Sequence, residues 1–258
     1  MIISALLPFL ITLLAVLLLS RLVSKYLLEL LGDRFYAIML WPGVVIHELS
    51  HLLGAVLTFT RVKGFSLIPK SVPGGKVLGS VTHEASGNPV TLILISLFPL
   101  LGGAFILWVL TLILVPQAPL AAPGIVVDGS FWNVIINYLG SWWSFIQGLW
   151  QAMDFGTWQT WIFLYITLAV AAHLAPSNHD FGFTAAGFTA LSILAVLVVF
   201  GGNLIGQPVG DTLLGWISGA VNFFAPLLTY ALSLLLLVGL MVSLAVGTKR
   251  LNERVVWW

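Results

Sequence analysis

The sequence predicts an all-α polytopic membrane protein, with about six transmembrane helices and a small membrane-associated β-hairpin or sheet after the second helix. Three observations predict it. Hydrophobic residues make up 60% of the 258 positions and charged residues only 7%, a balance foreign to water-soluble domains. The apolar residues gather into runs close to the ~20 residues that cross a hydrocarbon layer as a helix. Between the second and third runs the texture changes to β-branched and aromatic residues in partial alternation, interrupted by Val72-Pro73-Gly74-Gly75.

The runs cover roughly 2–20, 35–58, 89–115, 158–174, 183–201 and 219–247. The first has no basic leader and no small-residue cleavage pattern, so it reads as a retained helix. Arg21 to Arg34 interleaves Lys25, Glu29 and Asp33 with leucines, the pattern of a short interfacial helix or of an extension of the first span. In the third run, Phe98-Pro99-Leu100-Leu101-Gly102-Gly103 combines small residues that permit close helix approach with a proline that frees backbone carbonyls. Residues 116–157 contain no lysine or arginine but carry Trp132, Trp142, Trp143 and Trp150. Tryptophans settle at the headgroup boundary, which predicts one or two helices lying along it, with a lid or gate as the functional alternative. The fourth run ends in His173-Leu174-Ala175-Pro176-Ser177-Asn178-His179-Asp180, where the proline stops the helix. Gly201 to Ile217 reads as a loop in which Asp211 is a helix N-cap. No repeat or linker divides the chain, so residues 1–258 form one membrane-embedded domain.

A net charge of +1 gives no basic surface for nucleic acid. The absence of cysteine removes disulfides, thiolate ligands and cysteine nucleophiles, leaving imidazole and carboxylate to hold any metal. Four of the ten basic residues lie between the second and third runs and three at the C-terminus, against three in Arg21 to Arg34. The positive-inside rule then places both termini in the cytoplasm. Alternating crossings bring residues 47–51 and 173–180 to the same, cytoplasmic, side of the bilayer.

Within the second run stands His47-Glu48-Leu49-Ser50-His51. On a helix the histidines are one turn apart on one face, where two imidazole nitrogens bind one zinc ion. Glu48, beside the first, is placed as general base to activate a zinc-bound water for attack on a peptide carbonyl. A glutamate in lipid is costly unless something uses it. Catalytic zinc takes three protein ligands and leaves a fourth position open. The third ligand here is Asp180, a carboxylate at the mouth of an apolar span, with His179 and His173 as rivals. His173, Ser177, Asn178 and His179 are also candidates to orient a ligand or bind the oxyanion. His83 and Glu84, in the hairpin, read as solvated surface groups.

The motif in a second membrane helix, the hairpin-like segment after it, the third helix and the proline-containing polar stretch ending in aspartate together resemble the site-2 protease family of intramembrane zinc metalloproteases. In that family an Asn-x-x-Pro stretch precedes Leu-Asp-Gly, and the aspartate is the third zinc ligand. The resemblance, covering roughly 35–182, implies Asp180 in that role, with His173-Leu174-Ala175-Pro176 in place of the asparagine and proline. The chain departs from the pattern: histidine replaces the asparagine, Asp180 lies one residue closer to the proline, and Phe181 precedes Gly182. The resemblance implies a zinc endopeptidase acting on a transmembrane or membrane-proximal peptide. The alternatives are a membrane scaffold or metal-transit protein, and a zinc hydrolase of a small amphiphile.

Overall fold

The computed structural model describes residues 2–72, 75–84, 88–119, 130–175, 197, 200–201 and 209–255. Six helices and four short strands organise them. Helix α1 (Ile2–Met39) is interrupted at Gly32, whose φ of 70° lies in the left-handed region that glycine enters without strain. Helix α2 (Trp41–Leu57) follows after a single residue, with a proline in its first turn. It stops where the Thr58 hydroxyl donates back to the Gly54 carbonyl at 2.8 Å.

The chain then runs through β1 (Val62–Ser66), β2 (Lys70–Val72), β3 (Gly75–Val77) and β4 (Ser80–His83). β1 pairs antiparallel with β4, from Val62 opposite His83 to Ser66 opposite Ser80, with an irregularity between Val62 and Gly64. β2 pairs antiparallel with β3, from Lys70 opposite Val77 to Val72 opposite Gly75. The two ladders are successive lengths of one hairpin, broken at Leu67–Pro69 on one arm and Leu78–Gly79 on the other. The indole of Trp41 donates to the Leu67 carbonyl at 3.1 Å and ties the break to the start of α2. The hairpin expected from sequence is therefore present. Lys63 and Glu84 pair at 3.6 Å on its exposed surface, and His83 lies within hydrogen-bond distance of the Glu84 carbonyl.

Helix α3 (Pro89–Leu114) starts from an Asn88 cap whose side chain accepts from the Val90 amide at 2.9 Å. Helix α4 (Phe131–Ala152) starts from Ser130, α5 (Trp158–Ala171) from Thr157, and α6 (Val209–Val255) closes the described chain. α1 packs principally on α6, and α2 is held between α3 and α5. The outer surface is apolar: Phe59, Ile68, Trp132, Trp143, Leu240 and Leu244 are among many large side chains left exposed. Such a surface calls for an apolar solvent.

Among the described residues three helices are long and apolar enough to cross a membrane: Phe9–Met39, Val90–Leu114 and Phe224–Arg250. The expectation of about six crossings is met in part, by six described helices of which these three have spanning length and apolarity. At ~1.5 Å per residue, α5 with 14 residues falls short of a hydrocarbon layer. α2, with 17, carries the polar motif that lowers its hydropathy. The span expected at 183–201 lies outside the described residues except for positions 197, 200 and 201. The extension of the first span is realised: α1 continues through Arg21 to Arg34 because Val23 and Leu27, one turn apart, are buried, while Arg250 grips both carboxylate oxygens of Glu29 at 2.9 and 2.7 Å. The loop expected up to Ile217 is shorter, since α6 begins at Val209 and takes Asp211 into its first turn.

α4 differs from a plain surface anchor. Val134, Tyr138, Phe145 and Leu149 recur at helical spacing and are buried, while Trp132, Trp143 and Trp150 face outward. The Tyr138 hydroxyl bonds Thr12 of α1 at 2.9 Å and Thr229 of α6 at 2.7 Å. Trp142 donates to Ser233 at 2.8 Å, and Tyr230 donates to Thr111 of α3. In an apolar setting each such pair contributes about 0.6 kcal/mol.

α2 approaches its neighbours at backbone distance. A Cβ on Gly43 meets the Ala169 carbonyl of α5, and one on Gly102 meets the Ser50 hydroxyl of α2. Because the obstacle at Gly43 is backbone, Gly43→Ala is expected to destabilise the fold by about 1–3 kcal/mol, read as a lower thermal-unfolding midpoint of the detergent-solubilised chain. An unchanged midpoint contradicts the close α2–α5 contact.

Candidate metal centre

The polar residues of α2 point into the molecule and its apolar ones outward. Glu48 and His51 are 8% and 7% exposed, whereas Leu49 and Leu53 are 44% and 50% exposed. This inverts the amphipathicity of a soluble surface helix and follows from an apolar exterior. His47 and His51, one turn apart, stand edge to face with ring centroids 4.9 Å apart.

Each imidazole is anchored through Nδ1 to a backbone carbonyl, His47 to that of His173 at 2.6 Å and His51 to that of Ile95 at 2.9 Å. A carbonyl only accepts, so Nδ1 carries the hydrogen and Nε2 of each neutral ring keeps its lone pair. Both acceptors exist for a sequence reason. Ile95 lies four residues before Pro99, which has no N–H to complete the helical bond to that carbonyl. His173 lies beyond the end of α5 at Ala171, so its carbonyl is outside that helix's hydrogen-bond ladder. A proline inside α3 and the end of α5 thus leave free the carbonyls that orient the two histidines.

His47, Glu48 and His173 line a cavity of about 480 Å³ together with Arg21, Ser24, Lys25 and Tyr36 of α1 and Leu78 and Gly79 of the hairpin. Gly79 lies directly over the general-base candidate: a Cβ there falls 2.7 Å from Glu48 Cγ. The Ser20 hydroxyl donates to the Ala171 carbonyl at 2.7 Å and accepts from the Ala175 amide at 2.9 Å. It thereby fixes α1 beside the end of α5.

Of the residues singled out from sequence, the described structure brings His47, Glu48, His51 and His173 together. His173 acts through its carbonyl, while its own Nδ1 donates to the Ala169 carbonyl at 2.9 Å. Asp180, Ser177, Asn178 and His179 lie outside the described residues. Among the described residues no group of three or more histidine, aspartate or glutamate side chains is arranged to hold a metal ion, so the pair on α2 is a partial donor set. Gly79 and the carbonyl of Ile95 were not anticipated. The signal for the second was present in Pro99, four residues downstream of Ile95.

No protein-family model, curated protein or solved structure matches this chain. The geometry therefore stands alone. Two oriented imidazole nitrogens suit a borderline divalent ion. Pro99→Ala returns an N–H to the Ile95 carbonyl and sets it in competition with His51. Zinc affinity, measured by competition titration against a chromophoric chelator, is expected to fall about tenfold.

Proposed function

We propose that this chain is a zinc-dependent intramembrane endopeptidase, hydrolysing a peptide bond in a transmembrane or membrane-proximal segment of another protein. The observation that carries the reading is the pair of carbonyl-anchored histidines with a buried glutamate between them, of which His47 and Glu48 line a cavity of an apolar-surfaced helical protein. Carbonyl bonds at Nδ1 are the arrangement that metal-binding histidines adopt, so the residues present fit zinc. His47 and His51 would hold it through Nε2. Asp180 is proposed as the third ligand, with His179 as its rival; His173 is assigned to orienting His47. When bound, zinc supplies a Lewis acid that polarises the scissile carbonyl and eases deprotonation of water.

The protein's own groups do the rest. Glu48 takes a proton from the attacking water and returns it to the departing amine. Burial of that carboxylate beneath Leu78 and Gly79 limits the water that competes for it. Asn178 or Ser177 is proposed to donate to the oxyanion. The hairpin beside the cavity offers main-chain groups to an extended peptide. A multi-pass membrane location is supported by the three long apolar helices. Cytoplasmic termini are the proposal drawn from the distribution of basic residues, whereas Arg21 and Lys25, which that count puts on the opposite side, line the cavity beside Glu48.

Purified chain is expected to carry about one zinc per molecule. Glu48→Gln is expected to keep that metal yet lose cleavage by at least ~100-fold, whereas His51→Ala loses both. Comparing membranes of cells expressing wild type and Glu48→Gln by quantitative proteomics should reveal a membrane protein whose full-length form accumulates in the variant. Zinc-free protein, or full activity in Glu48→Gln, contradicts the reading.

A further inference from the structure

A second cavity, of about 320 Å³, shares no lining residue with the one that holds Glu48. It follows from the interruption of α1 at Gly32. Leu27, Leu30 and Leu31 line it from before the kink and Met39 and Leu40 from after it, while α5 and α6 form the other walls. Leu27, Leu40, Leu164 and Val242 are buried and make its floor; Met39, Trp161, Tyr165 and Met241 are exposed and make its rim. The space is therefore a groove open to the apolar exterior.

No lining residue is charged. The two polar side-chain atoms of the lining are already engaged: the Trp161 indole donates to the Phe155 carbonyl at 3.0 Å, and the Tyr165 hydroxyl donates to the Met39 carbonyl at 2.8 Å. An extended peptide laid here finds no side-chain partner for its backbone groups, which an apolar setting does not leave unpaired. A helix, about 10–12 Å across with its side chains, is too broad for a groove of this volume. A single hydrocarbon chain needs no hydrogen bond and meets apolar side chains on every wall.

One end of the groove carries charge. Ala245 and Lys249 stand one turn apart on α6, and the Lys249 ammonium donates to the Glu29 carbonyl at 3.0 Å, next to Leu30 of the opposite wall. That bond uses one of three N–H groups. The carboxylate of Glu29 is itself taken up by the Arg250 fork. From residue 249 to residue 254 three basic residues stand against one acid, and a basic cluster at the end of an apolar span draws anionic headgroups to it.

We infer that this groove is a phospholipid site, with one acyl chain lying between α1, α5 and α6 and the phosphate of an anionic headgroup on Lys249. The site is independent of the peptidase reading. Its floor includes Leu40, the single residue between α1 and α2, so the acyl chain packs against the start of the helix that carries His47 and Glu48.

Two of the four methionines, Met39 and Met241, line the groove, which supplies the test. The full-length chain is made with the diazirine analogue photo-methionine in place of methionine and placed in nanodiscs of phosphatidylcholine with a minor fraction of phosphatidylglycerol. After irradiation, peptides containing positions 39 and 241 are weighed for adducts. Phosphatidylglycerol adducts at both positions are expected to exceed that lipid's share of the bilayer at least about fivefold, the gain that one basic residue supplies. Lys249→Gln should return the adducts to the bilayer's composition, whereas Lys249→Arg should keep the enrichment, which separates the charge from a general disturbance of α6. Ala245→Trp, which fills the groove, should lower lipid adducts at both methionines. Adducts that match the bilayer's composition in wild type overturn the site, as do an enrichment that survives Lys249→Gln and undiminished adducts in Ala245→Trp. Cross-links from these methionines to a second copy of the chain or to a co-purified polypeptide, in place of lipid, assign the groove to a protein partner and overturn it as well.

Discussion

The structure turns on one requirement, that the polar face of α2 be satisfied inside a protein whose exterior is apolar. A buried imidazole N–H left without an acceptor costs ~1–3 kcal/mol, and two of them on one short helix would unseat it. α3 and α5 meet the requirement by presenting carbonyls that their own helical ladders do not use, those of Ile95 and His173. The first is spare because Pro99 lacks an N–H, the second because His173 lies past the end of α5. The neighbours must then come close, and glycine supplies the room: Gly43 against Ala169 on one side, Gly102 against Ser50 on the other. Substituting a leucine for Pro99 and an alanine for either glycine are different chemical changes, yet both act on the seating of α2.

Once α2 is seated, the remaining elements enclose it. The hairpin lays its irregular Leu78–Gly79 break over Glu48, where a continuous ladder with a side chain at Gly79 does not fit. α1 closes another side, held to the end of α5 by the paired bonds of Ser20 and to α6 by the Glu29–Arg250 fork. α4 contributes from a distance, joining α1 and α6 through Tyr138, which bonds a threonine on each. The result is a cavity lined by the Glu48 carboxylate, His47, His173, Arg21 and Lys25 and carried mainly on helices rather than on loops.

Much of this was readable in the chain. A 60% hydrophobic composition dictates a membrane solvent, the i and i+4 histidines dictate a shared face, and the alternation on either side of Val72-Pro73-Gly74-Gly75 dictates a hairpin. The extent of the spans was not readable. Hydropathy averages over a window, so it ended the first helix at Arg21, where the charged residues begin. It had no knowledge that Arg250, more than two hundred residues away, neutralises Glu29. In the same way the Trp-rich segment read as an interfacial anchor, because periodicity reports which residues share a face and not that Tyr138 finds hydroxyls to bond there.

By itself the sequence determined the solvent, the pairing of His47 with His51, the glutamate between them and the positions of the prolines, since each depends on residues within one or two helical turns. Only the tertiary structure decided that Pro99 serves His51, that His173 contributes its carbonyl and not its ring to His47, and that Arg21, Lys25 and Gly79 share the space around Glu48. The physical reason is range. Local periodicity fixes faces and caps, whereas a buried polar group takes its partner from whichever element packs against it, and that choice is made by the whole fold at once.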